Sequence, residues 1–213
     1  WYPLHTMEPT KKNTGLIKKS IGHWHSFDKA LQGYSFTGGA SMYAKMGDGN
    51  KANELLKAFM SKFLQPNTMY LEAGPVIETP LSAVASINEM LLQSWGDTIR
   101  IFPAIPDDWK DVVFHKLRTE GAFLVSAEMK DNDLQWVRIK SEVGENLNLQ
   151  FRHPLKKYTL NQQGQMKPFH GRHLSIETNP GEEIWIYKKD NESFVINPVK
   201  KEMGNFNAFG SKK

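Results

Sequence analysis

Two acidic residues, Glu72 and Glu78, precede an apolar stretch of the chain and are suited to acid–base chemistry. Glu78 lies between Ile77 and the Thr79-Pro80 pair. Thr79 is a good N-cap and Pro80 fits the first helical position, so the pattern places Glu78 directly before a helix start. Unpaired N–H groups there favour an ionised carboxylate, which can act as a general base or metal ligand. The alternative is that Glu78 only supports the helix end, since helix starts are generally rich in acids.

A second cluster, His23-Trp24-His25, joins an indole to two imidazoles. Such a group can stack on and hydrogen-bond to a sugar, while simple packing at a helix entrance is the alternative. Two histidines at this spacing share a face only on an extended segment, and without a third ligand we predict no metal site. Aromatic residues that could extend the surface are Trp1, Tyr2 and Tyr34. The candidate substrate-binding residues are Glu72, His23, Trp24, His25 and Tyr34, although Glu72 also fits a surface carboxylate.

The sequence pattern predicts helices in the first hundred residues, and these helices must position the candidate site residues. Residues 51–64 carry apolar side chains at the spacing of an amphipathic helix. A Gly-Asp-Gly-Asn turn precedes it, and 40–46 reads as the end of another helix, which predicts an antiparallel helical hairpin. The stretch 81–92 lacks a clear polar face, so we expect a helix that is buried on all sides.

After Gly96-Asp97 the period of the pattern changes from helical to strand-like. Short apolar runs alternate with polar turns, which is typical of an antiparallel sandwich. The predicted strands are 98–102, 112–117, 122–129, 134–140, 147–152, 156–160, 173–177 and 183–187.

The composition excludes several classes of protein. Hydrophobic residues make up 39% of the 213 residues, which is enough for a folded core. The chain has no cysteine, so it has no disulfides, thiolate metal sites or cysteine nucleophiles. The net charge is +4, but the lysines are scattered, and we predict no nucleic-acid partner and no membrane span. No phosphate loop or nucleotide fingerprint is present, and no cofactor is expected.

The stretch from Ile87 to Trp109 resembles glycoside hydrolase family 95. Members carry an Ile-Asp-Gly-Asn-Phe-Gly stretch and then a helix that ends in Glu-Met-Leu-Leu-Gln-Ser, which here is Glu89–Ser94. A Leu-Pro-Ala-Leu-Pro-x-x-Trp-like segment follows in the family, and here reads FPAIPDDW from Phe102. The resemblance covers roughly residues 20–190.

This resemblance implies an inverting enzyme that acts on alpha-L-fucosides or alpha-L-galactosides. Counting back from Glu89 places Glu78 at the position of the family's catalytic-base aspartate. Thr79 to Ser82 replace the family's Gly-Asn-Phe-Gly, and Glu72 stands where the family has a histidine. The resemblance also implies a periplasmic or extracellular location.

The fold we expect is α+β, with the last helices of an (α/α)6 toroid followed by an antiparallel β-sandwich. The predicted domains are residues 1–96 for the partial toroid, 97–190 for the sandwich, and 191–213 for a loosely ordered tail. The chain begins with Trp1, so we expect a missing N-terminal part of the same protein, which would carry the general acid. Such a chain would be inactive alone. The alternatives are part of a polysaccharide lyase, with Tyr or His as the base, and a non-catalytic carbohydrate-binding or scaffold protein.

Overall fold

The computed structural model describes residues 7–65, 69–72, 74, 76–189 and 194–196. Trp1 and Tyr2, and most of the predicted tail, lie outside the described residues. The chain forms two compact units that divide between Met90 and Leu91, with Ala104–Pro106 grouped with the first unit. Within the described residues, no helix is sufficiently long and apolar to cross a membrane.

The first unit is helical. Its helices are α1 (Lys11–His25), α2 (Gly33–Lys45), α3 (Gly49–Lys62) and α4 (Glu78–Leu91). Helices α2 and α3 form the predicted hairpin, with Phe36 and Ala40 of α2 and Leu55, Leu56 and Phe59 of α3 buried. Asp48 caps α3 by accepting a hydrogen bond from the Lys51 amide at 3.2 Å, as expected for an acidic N-cap. Helix α1 was not predicted, because its few apolar residues are separated by lysines and glycines.

Helix α4 buries one narrow face and exposes most of its large apolar side chains. Its buried residues are Thr79, Ser86 and Met90, which repeat at the spacing of one helix face. The prediction of a helix buried on all sides is therefore wrong for this chain, since the apolar side chains on the other face have no cover. Thr79 is also not the N-cap, because the helix already begins at Glu78. The exposed fractions are 70% for Ile77, 59% for Leu81, 57% for Val84 and 40% for Ile87.

The second unit is built on strands. Its strands are β1 (Leu92–Trp95), β2 (Thr98–Ile101), β3 (Val112–Thr119), β4 (Phe123–Lys130), β5 (Asp133–Ser141), β6 (Leu147–Gln162), β7 (Gln165–Ile176) and β8 (Glu183–Lys188). The sheet order is β1-β2-β6-β8-β5-β4-β3, and β7 pairs with β6. The core is apolar, and its fully buried side chains include Trp136, Ile139, Leu147, Leu149, Ile184 and Ile186.

Strand β6 is longer than predicted and changes neighbours along its length. Its first part pairs with β2 and its last part with β8, while β7 follows it throughout. Register shifts between Gln150 and Tyr158 lie between the two pairings, within a single eight-stranded sheet, so the predicted sandwich of two sheets is not confirmed. The pairing of β2 with β6 is parallel, so the prediction of a purely antiparallel arrangement is wrong at this point.

Tight hairpin turns set the register of the neighbouring strands. Asp131 and Asn132 join β4 to β5 with φ of 50° and 62°, and Gln163 and Gly164 join β6 to β7 with φ of 53° and 81°. Two consecutive residues with positive φ match the turns that suit the twist of a β-hairpin. The two ends of the strand order also meet, because the Ser94 hydroxyl accepts a hydrogen bond from the Glu120 amide at 3.1 Å.

We predict that the ion pair between Lys45 and Glu89 stabilises the helical unit. The Lys45 ammonium lies 2.9 Å from the Glu89 carboxylate, and its side chain is only 5% exposed. Lys45→Met should lower the free energy of unfolding by about 3 kcal/mol, because it leaves a buried carboxylate without its cation. Urea denaturation at neutral pH measures this difference.

The matched control is Lys51→Met, since Lys51 pairs with Glu54 at 2.6 Å on an exposed helix face. Its effect should be about 0.5 kcal/mol or less. Burial raises the pKa of the Glu89 carboxyl, while Lys45 opposes that rise. An acid whose pKa is raised by folding lowers the free energy of unfolding as pH rises and the group ionises. The difference in unfolding free energy between the unchanged chain and Lys45→Met should therefore shrink as pH falls toward about 4 and Glu89 takes up a proton. A deficit that grows on acidification would contradict this account.

Candidate functional site

Helices α1 and α2 bring three of the predicted sugar-contacting residues together. A Cβ atom placed on Gly38 would lie 3.3 Å from the Tyr34 ring and 3.7 Å from the Trp24 ring, so both rings meet over this glycine. The Trp24 and His25 rings are 4.9 Å apart in an edge-to-face arrangement. Tyr34 is 43% exposed, so this aromatic cluster reaches the surface.

The imidazole of His25 is held against the backbone of α2. Its Nε2 lies 3.1 Å from the carbonyl oxygen of Ser35, and it donates there when that nitrogen carries the proton. Burial lowers the pKa of His25, and the positive charge of Lys51 lowers it further, whereas the hydrogen bond to Ser35 opposes the change. His25 is therefore neutral near pH 7 and offers a fixed edge of the aromatic cluster.

Glu72 links the starts of α2 and α4. Its Oε2 atom accepts a hydrogen bond from the Tyr34 amide at 3.3 Å and another from the Thr79 hydroxyl at 2.8 Å. The Tyr34 amide belongs to the first turn of α2, where N–H groups lack helical partners and attract negative charge. The structure thus places Glu72 beside Tyr34 of the aromatic cluster and gives it a positioning role as well.

Glu78 is exposed at the first position of α4. Tyr70, whose backbone bridges to Leu64, lies within electrostatic reach of both carboxylates. Partial burial raises the pKa of the Tyr70 phenol, and the negative charges of Glu78 and Glu72 raise it further. Tyr70 therefore keeps its proton at neutral pH and can donate a hydrogen bond beside the two carboxylates. Tyr70 is not among the candidate site residues that the sequence indicated.

His23 does not join the cluster. It is exposed on α1 and its ring packs edge-to-face on Phe27 at 5.0 Å. The histidines lie on a helix and not on an extended segment, so residues two apart point to different faces. Among the described residues, no group of three or more His, Asp or Glu side chains can hold a metal ion.

The residues that sequence reasoning missed are small or neutral. Gly38 and Gly39 let the α1 side chains reach α2, and Ser35 supplies the carbonyl that holds His25. Only the Gly-Gly pair within an apolar helix signalled a close approach of this kind. Together the helical unit presents two carboxylates, a protonated phenol and an aromatic surface, which suits the binding of a hydroxyl-rich ligand.

Comparison with known proteins finds one family domain that is similar to the strand unit. Residues 93–186 match the model for "Glycoside hydrolase family 95, C-terminal domain". The predicted resemblance to family 95 is confirmed. The matched stretch runs from β1 to β8, so the family 95 similarity coincides with the strand unit.

The chain was also compared with solved structures and with curated proteins. A crystal structure of Ara127N-Se, a GH127 beta-L-arabinofuranosidase from Geobacillus stearothermophilus T6, is similar with a TM-score of 0.33 and 12% identity. The similarity covers 72% of this chain and 30% of that chain, so this chain spans less than a third of that structure. No curated protein matched the sequence.

We predict that Gly39→Ala moves His25 out of its position on α2. A Cβ atom at Gly39 would lie 2.8 Å from Cε1 and 2.9 Å from Nε2 of His25, closer than real Cβ contacts. The ring must shift, the hydrogen bond to Ser35 should break, and the pKa of His25 should rise toward about 6.5 as the ring gains solvent. NMR titration of the imidazole, assigned with a His25→Asn variant, measures the change.

Gly22→Ala on α1 is the matched control, because nothing lies within 4 Å of a Cβ atom there. That substitution should leave the His25 titration unchanged and stabilise the helix by up to about 1 kcal/mol. An unaltered His25 titration in Gly39→Ala would mean that the close approach does not hold the ring.

Proposed function

We propose that this chain is the C-terminal part of an inverting glycoside hydrolase that acts on alpha-L-fucosyl or alpha-L-galactosyl glycans. The observation that carries the proposal is the match of residues 93–186 to the family 95 C-terminal domain. Inverting hydrolysis requires two carboxyl groups about 6.5–9.5 Å apart, one to protonate the leaving oxygen and one to activate water. Glu78 supplies the second role in this proposal, and the general acid belongs to the missing N-terminal part.

The exposed face of α4 supports the proposal of a missing helical partner. Ile77, Leu81, Val84 and Ile87 form an apolar stripe whose opposite face is already buried. Contiguous exposed apolar surface of this kind marks an interaction site. In our proposal the preceding helices of an (α/α)6 toroid cover this stripe, and α1 to α4 are the last helices of that toroid.

The proposed roles follow the contacts in the helical unit. Glu78 is the general base, and its exposure at the helix start leaves room for a water molecule and a sugar. Trp24 and Tyr34 offer apolar ring faces to the sugar, and His25 and Glu72 offer polar contacts, whereas His23 lies on another face of α1 and has no role in this proposal. A glycan-degrading enzyme of this kind meets its substrate outside the cytoplasm, so we propose a periplasmic or extracellular location. The lyase alternative, in which His23, His25 or Tyr34 would be the base, is not better supported, because the family match of residues 93–186 is to a glycoside hydrolase.

We predict that Glu78→Gln removes most of the activity of the intact enzyme that contains this chain. Glutamine keeps the shape of the side chain but cannot accept a proton from water, so turnover should fall by about 10²–10⁴-fold. Hydrolysis of an aryl alpha-L-fucoside and an aryl alpha-L-galactoside measures turnover. The melting temperature should change little, because Glu78 is exposed.

Glu54→Gln is the matched control, since Glu54 is an exposed helical carboxylate whose partner, Lys51, lies on the same helix. It should retain the full rate. Near-normal turnover in Glu78→Gln would eliminate Glu78 as the base, and activity on neither glycoside by the unchanged enzyme would refute the proposed substrates.

We also predict that the 213-residue chain alone does not hydrolyse these glycosides. Acid assistance to the leaving group contributes about 10²–10⁴-fold, and the proposal places that acid outside this chain. The same two aryl glycosides, assayed with the chain and with the intact enzyme at equal concentration, test the point. Comparable rates for the two would overturn both the missing acid and the placement of this chain within its parent.

A further inference from the structure

The β6–β7 hairpin is strongly basic. Residues 147–176 contain five Lys or Arg, three His and no Asp or Glu, although Asp and Glu make up 23 of the 213 residues. The basic residues are Arg152, His153, Lys156, Lys157, Lys167, His170, Arg172 and His173. Except for the half-buried Arg152, they are exposed. A surface of this kind attracts polyanions by its summed field.

The bend of β6 brings several of these basic residues together. Leu155 of β6 pairs with Gly171 of β7, so Lys156 lies across the hairpin from the stretch that carries His170 and Arg172. The Lys157 amide donates to Nδ1 of His170 at 3.4 Å, and the Arg172 Nε donates to the Phe151 carbonyl at 2.9 Å. The backbone itself therefore holds the imidazole and the guanidinium at the bend.

A cavity of about 570 Å³ opens beside this bend. Its volume falls within the range of about 300–1,000 Å³ that is usual for ligand sites. Its charged lining among the described residues comprises Arg152, Lys156, Lys188, Asp107 and Asp133, together with His153. Most of the other lining side chains are apolar, including Phe102 and Leu155, and Asn132 and Tyr158 add polar groups.

The mixture of charges in this cavity indicates the chemistry of the ligand. Lys188 binds the Asp133 carboxylate at 2.6 Å, and the Tyr158 hydroxyl, which donates to the Leu134 carbonyl, lies 3.2 Å from the same carboxylate. Three cations against two carboxylates favour an anion, while the carboxylates accept hydrogen bonds from ligand hydroxyls. An acidic saccharide carries both anionic groups and hydroxyls. A DNA backbone has no hydroxyl donors and would meet the carboxylates as like charges.

We propose that the strand unit binds an anionic polysaccharide, with uronate or sulfate groups on the basic bend and a sugar ring in the adjacent cavity. The site is separate from the candidate catalytic residues and does not depend on the proposed hydrolase. It would hold the chain on a charged glycan whether or not that glycan is cleaved.

The test is binding of the 213-residue chain to polygalacturonate and to dextran sulfate, measured by biolayer interferometry at low salt. We expect saturable binding to at least one of them, weakening as salt rises because bound counterions are released. The two polymers distinguish carboxylate from sulfate as the recognised group. Lys156→Gln combined with Lys157→Gln should weaken binding about tenfold and flatten the salt dependence.

Three controls make the result decisive. Lys12→Gln with Lys19→Gln removes the same charge from the exposed surface of α1 and should leave binding within about twofold. Neutral dextran should not bind, and duplex DNA should bind more weakly than the better acidic glycan. The proposal is overturned by the absence of binding to both acidic polymers, by equal losses in the two double variants, or by a preference for DNA.

Discussion

The buried hydrogen bonds between α2 and α4 decide which surfaces of the helical unit face outward. The Ser86 hydroxyl lies 2.8 Å from the Thr37 carbonyl and the Ser41 hydroxyl of α2, and also 2.8 Å from the Ser82 carbonyl of its own helix. Both serines are fully buried, so neither could turn to solvent without leaving polar groups unsatisfied. Because these bonds hold the Ser86 side of α4 inward, its apolar stripe faces outward. The proposal that further helices cover this stripe rests on that orientation.

Helix α2 serves as the framework for the candidate site through its smallest residues and its free amides. Gly39 receives the His25 ring, Gly38 lies under the aromatic pair, and the Tyr34 amide binds Glu72. Larger side chains at the glycines would separate the helices, whereas the amide is available only because it lies in the first turn. Backbone amides and glycines therefore position each functional group. Neither forms a sequence motif that could be recognised in advance.

The sequence predicted an element well where the period of its apolar residues and the residues of its flanking turns agreed. It predicted poorly where contacts with distant residues determine which side of an element is buried. The α2–α3 hairpin and the strands from Val112 onward were predictable, because their apolar periods end at polar or glycine-containing turns. The orientation of α4 was not, since small polar residues give no clear face and a buried Ser86 depends on Thr37, far away in the chain. The basic β6–β7 hairpin was also not predicted, because its lysines and arginines do not form a run. Its distinguishing feature is that neither strand contains Asp or Glu.

The two units differ in how completely they bury their apolar residues, and this difference separates their roles. The strand unit encloses large side chains such as Trp136 and Leu147, so it can present a stable, charged surface. The helical unit holds the carboxylates beside an uncovered apolar stripe. A catalytic pair of carboxyl groups needs fixed separation and exclusion of bulk water, which an uncovered helix face cannot supply. The proposed hydrolysis therefore depends on a covering partner, whereas the proposed glycan binding by the strand unit would need only residues of this chain.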